Sequence, residues 1–474
     1  MKSFLKRNLI FTIQPIVTRF ITFVVLPIYT LKISPSDFGV LEVILTIGIF
    51  FKTVVSMSTT TSFWKFTNNK YGEEYKTIVF NIILIPLLLS LGLFPILILV
   101  ALFFLKEINL YLIVLYCLSE VFLSIFNIAN LVIRNHANAR AFIYITSLYI
   151  FSFISLTYLT VVHLDLGITG VIYTYFLSAT VCLIFSYFYV LRNFINITAK
   201  FHFIKEVIKY SYPLTFSNLL FILMGFSDRF FLLNSSGQYQ LGLYSYYSKI
   251  SSLIRVFFVD TFFSLWNPIR WKIYHHPWGK DIFYNVFISF RLLSLLGPIP
   301  LYLFLSRFTI VFTQNHEYLS DLGLIGVLCV GSLLYALYFL SISGLLFTSK
   351  TKYISYVVSL SLIFNLICNS FFVDTFGMLA TSVINTLTYG FLAFSSHIIS
   401  KKYYKIPVSL TFDLFYYIIV ILNVCVLTYS HLLAEDLGVL LAAEVIFISL
   451  CLIFYKFKVF KINYTFLKKL NEIR

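Results

Sequence analysis

The sequence predicts an all-α integral membrane protein of about fourteen transmembrane helices, and three observations support this. Hydrophobic residues make up 60% of the 474 and charged residues 11%, with a mean hydropathy of +0.92, whereas a soluble domain carries about 25% charge. The apolar residues gather into long stretches, each near the ~20 residues that cross about 30 Å of hydrocarbon. Finally, 26 of the 35 Lys and Arg fall in alternate gaps between those stretches, and only Lys32 and Lys106 fall in the other gaps. This is the positive-inside pattern. It predicts a multi-pass protein of an inner (plasma) membrane with both termini in the cytoplasm.

In order, the predicted spans are Leu9–Thr30, Val40–Phe63, Thr77–Leu105, Leu110–Ile133, Ala141–Val162 and Ile168–Leu191. A basic connection, Arg192–Lys209, leads to Tyr210–Leu233, Leu243–Trp266, Ile282–Leu305, Leu322–Phe347, Tyr353–Phe372 and Gly377–Ser400. Two more follow at Phe412–Leu432 and Leu437–Tyr455. The basic residues Met1–Arg7 precede an apolar run with no small-x-small cleavage site, so that run is read as a retained first span rather than a signal peptide. The tail Lys456–Arg474 interleaves Lys with Phe, Ile and Leu, a pattern that fits either an amphipathic helix on the inner leaflet or a solvated tail.

Several function classes are excluded or disfavoured. The net charge of +16 sits mainly in the predicted cytoplasmic gaps, where anionic lipid retains it, so no nucleic-acid partner is expected. Six cysteines, Cys117, Cys182, Cys329, Cys368, Cys425 and Cys451, stand singly in apolar stretches and suggest neither metal nor disulfides. The pair His275-His276 has no third ligand nearby. No G-x-x-x-x-G-K-[ST] is present, so no nucleotide cofactor is expected.

The longest basic connection divides the chain into six spans, six spans and two more. The predicted domains are residues 1–195 (spans one to six), 196–405 (spans seven to twelve) and 406–474 (two accessory helices and a basic tail). The halves resemble each other. Each begins with a proline-bearing helix, at Pro15 and Pro213, and each second span opens at a glycine, Gly39 or Gly242. Six is even, so the repeat is parallel. Matched interruptions in two halves point to a transporter's substrate site.

An ion at the bilayer centre costs at least ~2.5–3.5 kcal/mol on insertion scales, so charges inside spans mark candidate sites. The cations are Arg19, Lys52, Arg229, Lys249, Arg255, Arg291 and Arg307, and the acids Glu42, Glu120, Asp228, Asp260 and Glu444. Arg229, Arg307 and Glu42 lie close enough to an outer end to snorkel. Arg19, Lys52, Lys249 and Arg255 all come from the first two helices of a half, so a cleft lined by those helices is cationic and suited to phosphate. The alternative is that they pair with Glu42, Glu120, Asp228 and Asp260 to lock helices together, and the sequence leaves both open. Asp228 and Arg229 are neighbours that point about 100° apart on a helix, so each is expected to meet another helix, as a gate or an interfacial anchor. Tyr29, Tyr212, Tyr244, Tyr246 and Tyr247 are candidates for stacking on sugar, against a background of aromatic belts.

The run Leu26-Pro27-Ile28-Tyr29-Thr30 into Ser34-Pro35-Ser36-Asp37-Phe38-Gly39 carries a family resemblance. So do Tyr212-Pro213, Ser227-Asp228-Arg229 and Gly242-Leu243-Tyr244. The chain resembles the polysaccharide transport family of lipid-linked oligosaccharide flippases, in the multidrug/oligosaccharidyl-lipid/polysaccharide exporter superfamily. The resemblance implies two six-helix lobes around a central cavity, alternating between inward-open and outward-open states. It also implies an undecaprenyl-pyrophosphate-linked oligosaccharide as substrate, moved to the outer leaflet for O-antigen, capsule or exopolysaccharide synthesis.

On that resemblance Arg19, Lys52 and Arg255 stand where cavity cations are expected; with Lys249 they are read as substrate-binding, and Glu42, Glu120, Asp228, Arg229 and Asp260 as gating or ion-coupling residues. Lys52 departs from the family's Arg. The polymerase and chain-length regulator of the same pathway are the implied partners. Two alternatives remain: a membrane polymerase or ligase, disfavoured by the short outer gaps, and an ion-coupled drug extruder, disfavoured by the cationic balance. The protein is expected not to be an enzyme.

Overall fold

A computed structural model describes residues 21, 24–67, 70–104, 108–136, 138–263, 266, 270, 273, 274, 276, 278–313, 315–348, 350, 352–404 and 410–432. Among the described residues all regular structure is helical, and eight helices are long and apolar enough to cross a membrane. Two of these are too long to be one span. A 50-residue helix, Lys352–Lys401, would run ~75 Å at 1.5 Å per residue, over twice the hydrocarbon thickness. It breaks at Gly377 (φ 53°, ψ −132°), and Phe201–Ile254 breaks at Gly237 (φ 80°). The predicted single span Ile282–Leu305 is instead a bent pair, Gly279–Leu296 and Pro298–Phe312, at 54° to each other. Pro298 cannot donate to the preceding turn, which places the bend. Predicted spans one and fourteen lie wholly or largely outside the described residues. The chain divides into two compact units, Met1–Phe226 and Ser227–Arg474.

In the first unit, the Ser34-Pro35-Ser36-Asp37 motif starts a helix. The Ser34 hydroxyl accepts from the Asp37 backbone N–H at 3.2 Å, and Pro35 opens Pro35–Ser56, where its missing N–H costs nothing. Met57 and Ser58 take left-handed conformations (φ 43° and 49°) and end it. Pro86 and Pro95 lie inside the continuous helix Gly72–Phe104. The Leu110–Asn135 helix packs against Pro35–Ser56, Gly72–Phe104 and Gly167–Ser186. Ile128, Ala129 and Val132 are completely buried against Val79, Ile82, Ile145 and Ala179. The predicted connection Arg192–Lys209 is shorter than expected, because a helix resumes at Phe201. Its extended part is tied to Gly72–Phe104: the Asn81 side chain donates to the Thr198 carbonyl (2.9 Å) and accepts from the Lys200 N–H (2.7 Å).

In the second unit, Gly323–Ser341 plays the same central part, packing on Gly279–Leu296, Pro298–Phe312, Lys352–Lys401 and Leu410–Leu432. The fourth span of each half is thus the buried one, 72% and 89% enclosed, and serine and small residues on Gly323–Ser341 permit that closeness.

Candidate functional site

Two polar clusters and Arg255 hold most of the described site residues. In the first unit Lys52, from Pro35–Ser56, meets Glu120, from Leu110–Asn135, with Nζ to Oε2 at 2.6 Å. The Tyr116 hydroxyl, one turn before Glu120, donates to Oε1 at 2.8 Å. Gly48 makes this possible, because a Cβ there would collide with the Tyr116 ring. The ring in turn meets Tyr175 edge-on at 5.2 Å. Glu120 is buried, while the Lys52 side chain keeps 34% exposure. Glu42 is also buried rather than snorkelling. Towards the predicted outer end, exposed Lys32 pairs with Asp165 at 3.2 Å, so one of the two cations on the wrong side of the charge pattern is neutralised locally.

In the second unit Asp228 is fully buried. One oxygen accepts from the Tyr244 hydroxyl and, at 2.9 Å, from the Asn385 amide. The other accepts from the Arg229 backbone N–H at 2.9 Å, with the Arg229 guanidinium at 3.4 Å. Asp228 therefore meets another helix as expected, but it also pairs with its neighbour, because the long Arg229 side chain curls back where a short one would not reach. Arg229 is buried, not snorkelling. Alongside runs a neutral network: the Ser227 hydroxyl donates to Asn365 Oδ1 (2.7 Å), the Asn365 amide donates to the Thr388 hydroxyl (3.0 Å), and the Asn369 amide donates to Asn365 Oδ1 (2.9 Å). Sequence reading passed over these asparagines. Their i, i+4 spacing inside the apolar stretch Tyr353–Phe372 was the available signal.

Arg255 opens a π-helical turn, Arg255–Asp260, a distortion frequent at functional sites. Its guanidinium lies 4.2 Å from the Tyr335 ring centre and 5.6 Å from that of Tyr389, within cation–π range. Among the described residues it forms no ion pair. Lys249 and Asp260 are half-buried on the same stretch. Arg19 lies outside the described residues. Arg291, by contrast, is enclosed between Phe287 (4.5 Å) and Tyr416 (4.8 Å), and the Tyr416 hydroxyl meets Ser294 at 2.5 Å. This cation docks the Leu410–Leu432 helix. Of the candidate sugar-stacking tyrosines, Tyr29, Tyr244, Tyr246 and Tyr247 are buried, and Tyr212 is exposed. Tyr246 meets the Thr313 hydroxyl at 2.5 Å, and Tyr247 accepts from the Asp321 N–H at 3.1 Å.

Residues 4–268 match the family model described as polysaccharide biosynthesis protein. The chain belongs to that family. No curated protein sequence matches it. Among solved structures it is similar to the lipid II flippase MurJ in an inward closed conformation, with a TM-score of 0.67 at 16% identity, covering 95% of this chain and 100% of that one. An inward-facing multidrug resistance MATE transporter of the MOP superfamily gives 0.61 at 12% identity, covering 81% and 94%. A MOP superfamily transporter from Pyrococcus furiosus gives 0.54 at 13%, covering 84% and 95%. The family's polysaccharide role and this shared transporter fold agree with the resemblance read from the half-starts.

Proposed function

We propose that this protein translocates an undecaprenyl-pyrophosphate-linked oligosaccharide repeat unit from the cytoplasmic to the outer leaflet of the inner membrane by alternating access, without catalysing a covalent reaction. One observation carries the reading. Of the deep cations the structure describes, Lys52 is neutralised by Glu120, whereas Arg255 rests on tyrosine rings and has no carboxylate partner among the described residues. An intramembrane guanidinium set against tyrosine rings, with no carboxylate partner among the described residues, is suited to a pyrophosphate, which it can grip through two parallel N–H donors.

In this reading Arg19 is the counterpart of Arg255 in the first half, and Lys249 assists. Residues 1–195 and 196–405 are the two moving lobes, and 406–474 the accessory part. Asp228, Arg229 and Asp260 in one unit and Glu42 and Glu120 in the other supply gating or ion coupling, and the polymer's polymerase and chain-length regulator receive the product. The Pyrococcus furiosus relative, for which reversed pocket polarity suggests a different function, offers a parallel for assigning substrate class by pocket charge.

The test is complementation of a deletion strain with Arg255→Ala and Arg255→Lys, scoring surface polymer at matched protein levels. Loss of a bidentate phosphate contact predicts a roughly 30-fold drop for Arg255→Ala, with partial recovery by Lys. Normal polymer from Arg255→Ala would refute the assignment.

A further inference from the structure

A second polar site lies in the first unit, away from the deep charges. Four helices meet there: the end of Thr59–Thr67, the start of Gly72–Phe104, the end of Leu110–Asn135 and the short helix Arg192–Phe194. They enclose a cavity of about 430 Å³ walled by Tyr71, Tyr75, Phe194, His136, Lys70 and Lys76, with Asn135 and Asn193 at its edge. That volume falls within the range of small-ligand sites. The wall is built rather than incidental. His136 packs on Phe194 at 4.3 Å and meets Tyr75 edge-on at 5.2 Å, and the Asn135 amide donates to the Tyr75 hydroxyl at 3.3 Å.

The charge of the lining has one sign. Among the described residues no carboxylate lines the cavity. Burial holds the His136 imidazole below its ordinary pKa, so at neutral pH the positive charge comes from the two lysines. Lys70 is steadied by Glu74 at 2.6 Å and Lys76 by Glu73 at 2.8 Å, yet their side chains keep 42% and 35% exposure. Exposed pairs of this kind are worth about 0–1 kcal/mol, so a phosphate can compete for both ammonium groups. The level in the membrane is also informative. Tyr71 on the cavity wall and Trp64 in the adjoining helix Thr59–Thr67 are exposed, as residues of the membrane–water interface are. Basic pockets between helix ends at that level bind lipid headgroups.

We propose that this cavity binds a phosphate-bearing headgroup, with Lys70 and Lys76 meeting the phosphate oxygens and Tyr71, Tyr75 and Phe194 walling the group attached to it. The ligand chemistry has two sources, an anionic phospholipid of the same leaflet or a soluble phosphate ester. Neither depends on the deep cations or on what the protein transports.

The experiment uses the full chain, purified in detergent. Retention of phosphatidylglycerol against phosphatidylcholine is read by native mass spectrometry, and binding of glycerol 1-phosphate by calorimetry. Removing one lysine near a charged surface is expected to weaken binding about 5-fold, and Lys70→Gln with Lys76→Gln roughly 30-fold. Tyr71→Ala, at a position too exposed to unfold the protein, is expected to weaken binding as well. Selective retention of phosphatidylglycerol alone identifies the lipid source, and binding of glycerol 1-phosphate identifies the soluble one. If the double variant retains phosphatidylglycerol and binds glycerol 1-phosphate as the wild type does, or if the wild type binds neither, the proposal is wrong.

Discussion

Lys52→Met should destabilise the first unit more than Glu120→Gln does, and the double variant should recover most of the loss. In the wild type the buried Glu120 carboxylate has the Lys52 ammonium 2.6 Å from one oxygen and accepts a hydroxyl from Tyr116 at 2.8 Å on the other. Removing the lysine leaves that charge with Tyr116 alone. Breaking a fully buried pair from one side costs about 3–5 kcal/mol. The 34% exposure of Lys52 lets water share the load, so about 2 kcal/mol is expected. For a unit of this size that corresponds to a fall in apparent Tm of about 4–8 °C.

Glu120→Gln leaves Lys52 free to reach water and the Tyr116 hydroxyl still bonded to an amide oxygen, so it should cost under ~1 kcal/mol. Adding Glu120→Gln to Lys52→Met removes the orphaned charge. The assay is thermal unfolding in detergent with a thiol-reactive dye, since Cys117 and Cys182 are buried in this unit and become reactive only on opening. A Lys52→Met protein as stable as wild type, or a double variant worse than either single, would refute the reasoning.

Asp228→Asn should lower apparent Tm through the second unit, by about 3 kcal/mol of lost pairing with the buried Arg229, read by the dye at Cys329. Gly377→Ala should cost about 2 kcal/mol, because φ 53° with ψ −132° is a glycine conformation and the new Cβ would stand 2.5 Å from Gln240 Oε1. Gln240→Ala in that background relieves the contact but not the backbone, so the same thermal assay should show only partial recovery. Lys32→Gln should shift the apparent Tm by less than about 2 °C, because its partner Asp165 is 65% exposed.

Local chemistry was legible in the sequence, and tertiary partnership was not. The predicted second span starts at Val40, five residues late, although Ser34 and Pro35 carry a cap and a helix-opening proline, a signal decided within four residues. The gap expected between Tyr210–Leu233 and Leu243–Trp266 does hold the break between two helices, but at Gly237 rather than at Gly242, and helix continues to either side of it. Lys52 and Glu120 each stood out as an ion in an apolar stretch, but only packing of two helices could show that they are each other's partner. Arg255 and Arg291 look alike in sequence. Their surroundings separate them, one on a π turn against Tyr335 and the other sealed between Phe287 and Tyr416. The bend at Pro298 was missed because hydropathy averages over it, and the Asn365–Asn369 network because neutral amides leave little mark on a charge count.

The most direct test of the flippase reading is to delete the gene in its host and locate the lipid-linked glycan, comparing outer-leaflet labelling of intact cells with total lipid extracts. The account predicts complete repeat units trapped on the cytoplasmic side and surface polymer lost. Single unpolymerised units reaching the outer leaflet would contradict it, because translocation would then have survived without this protein.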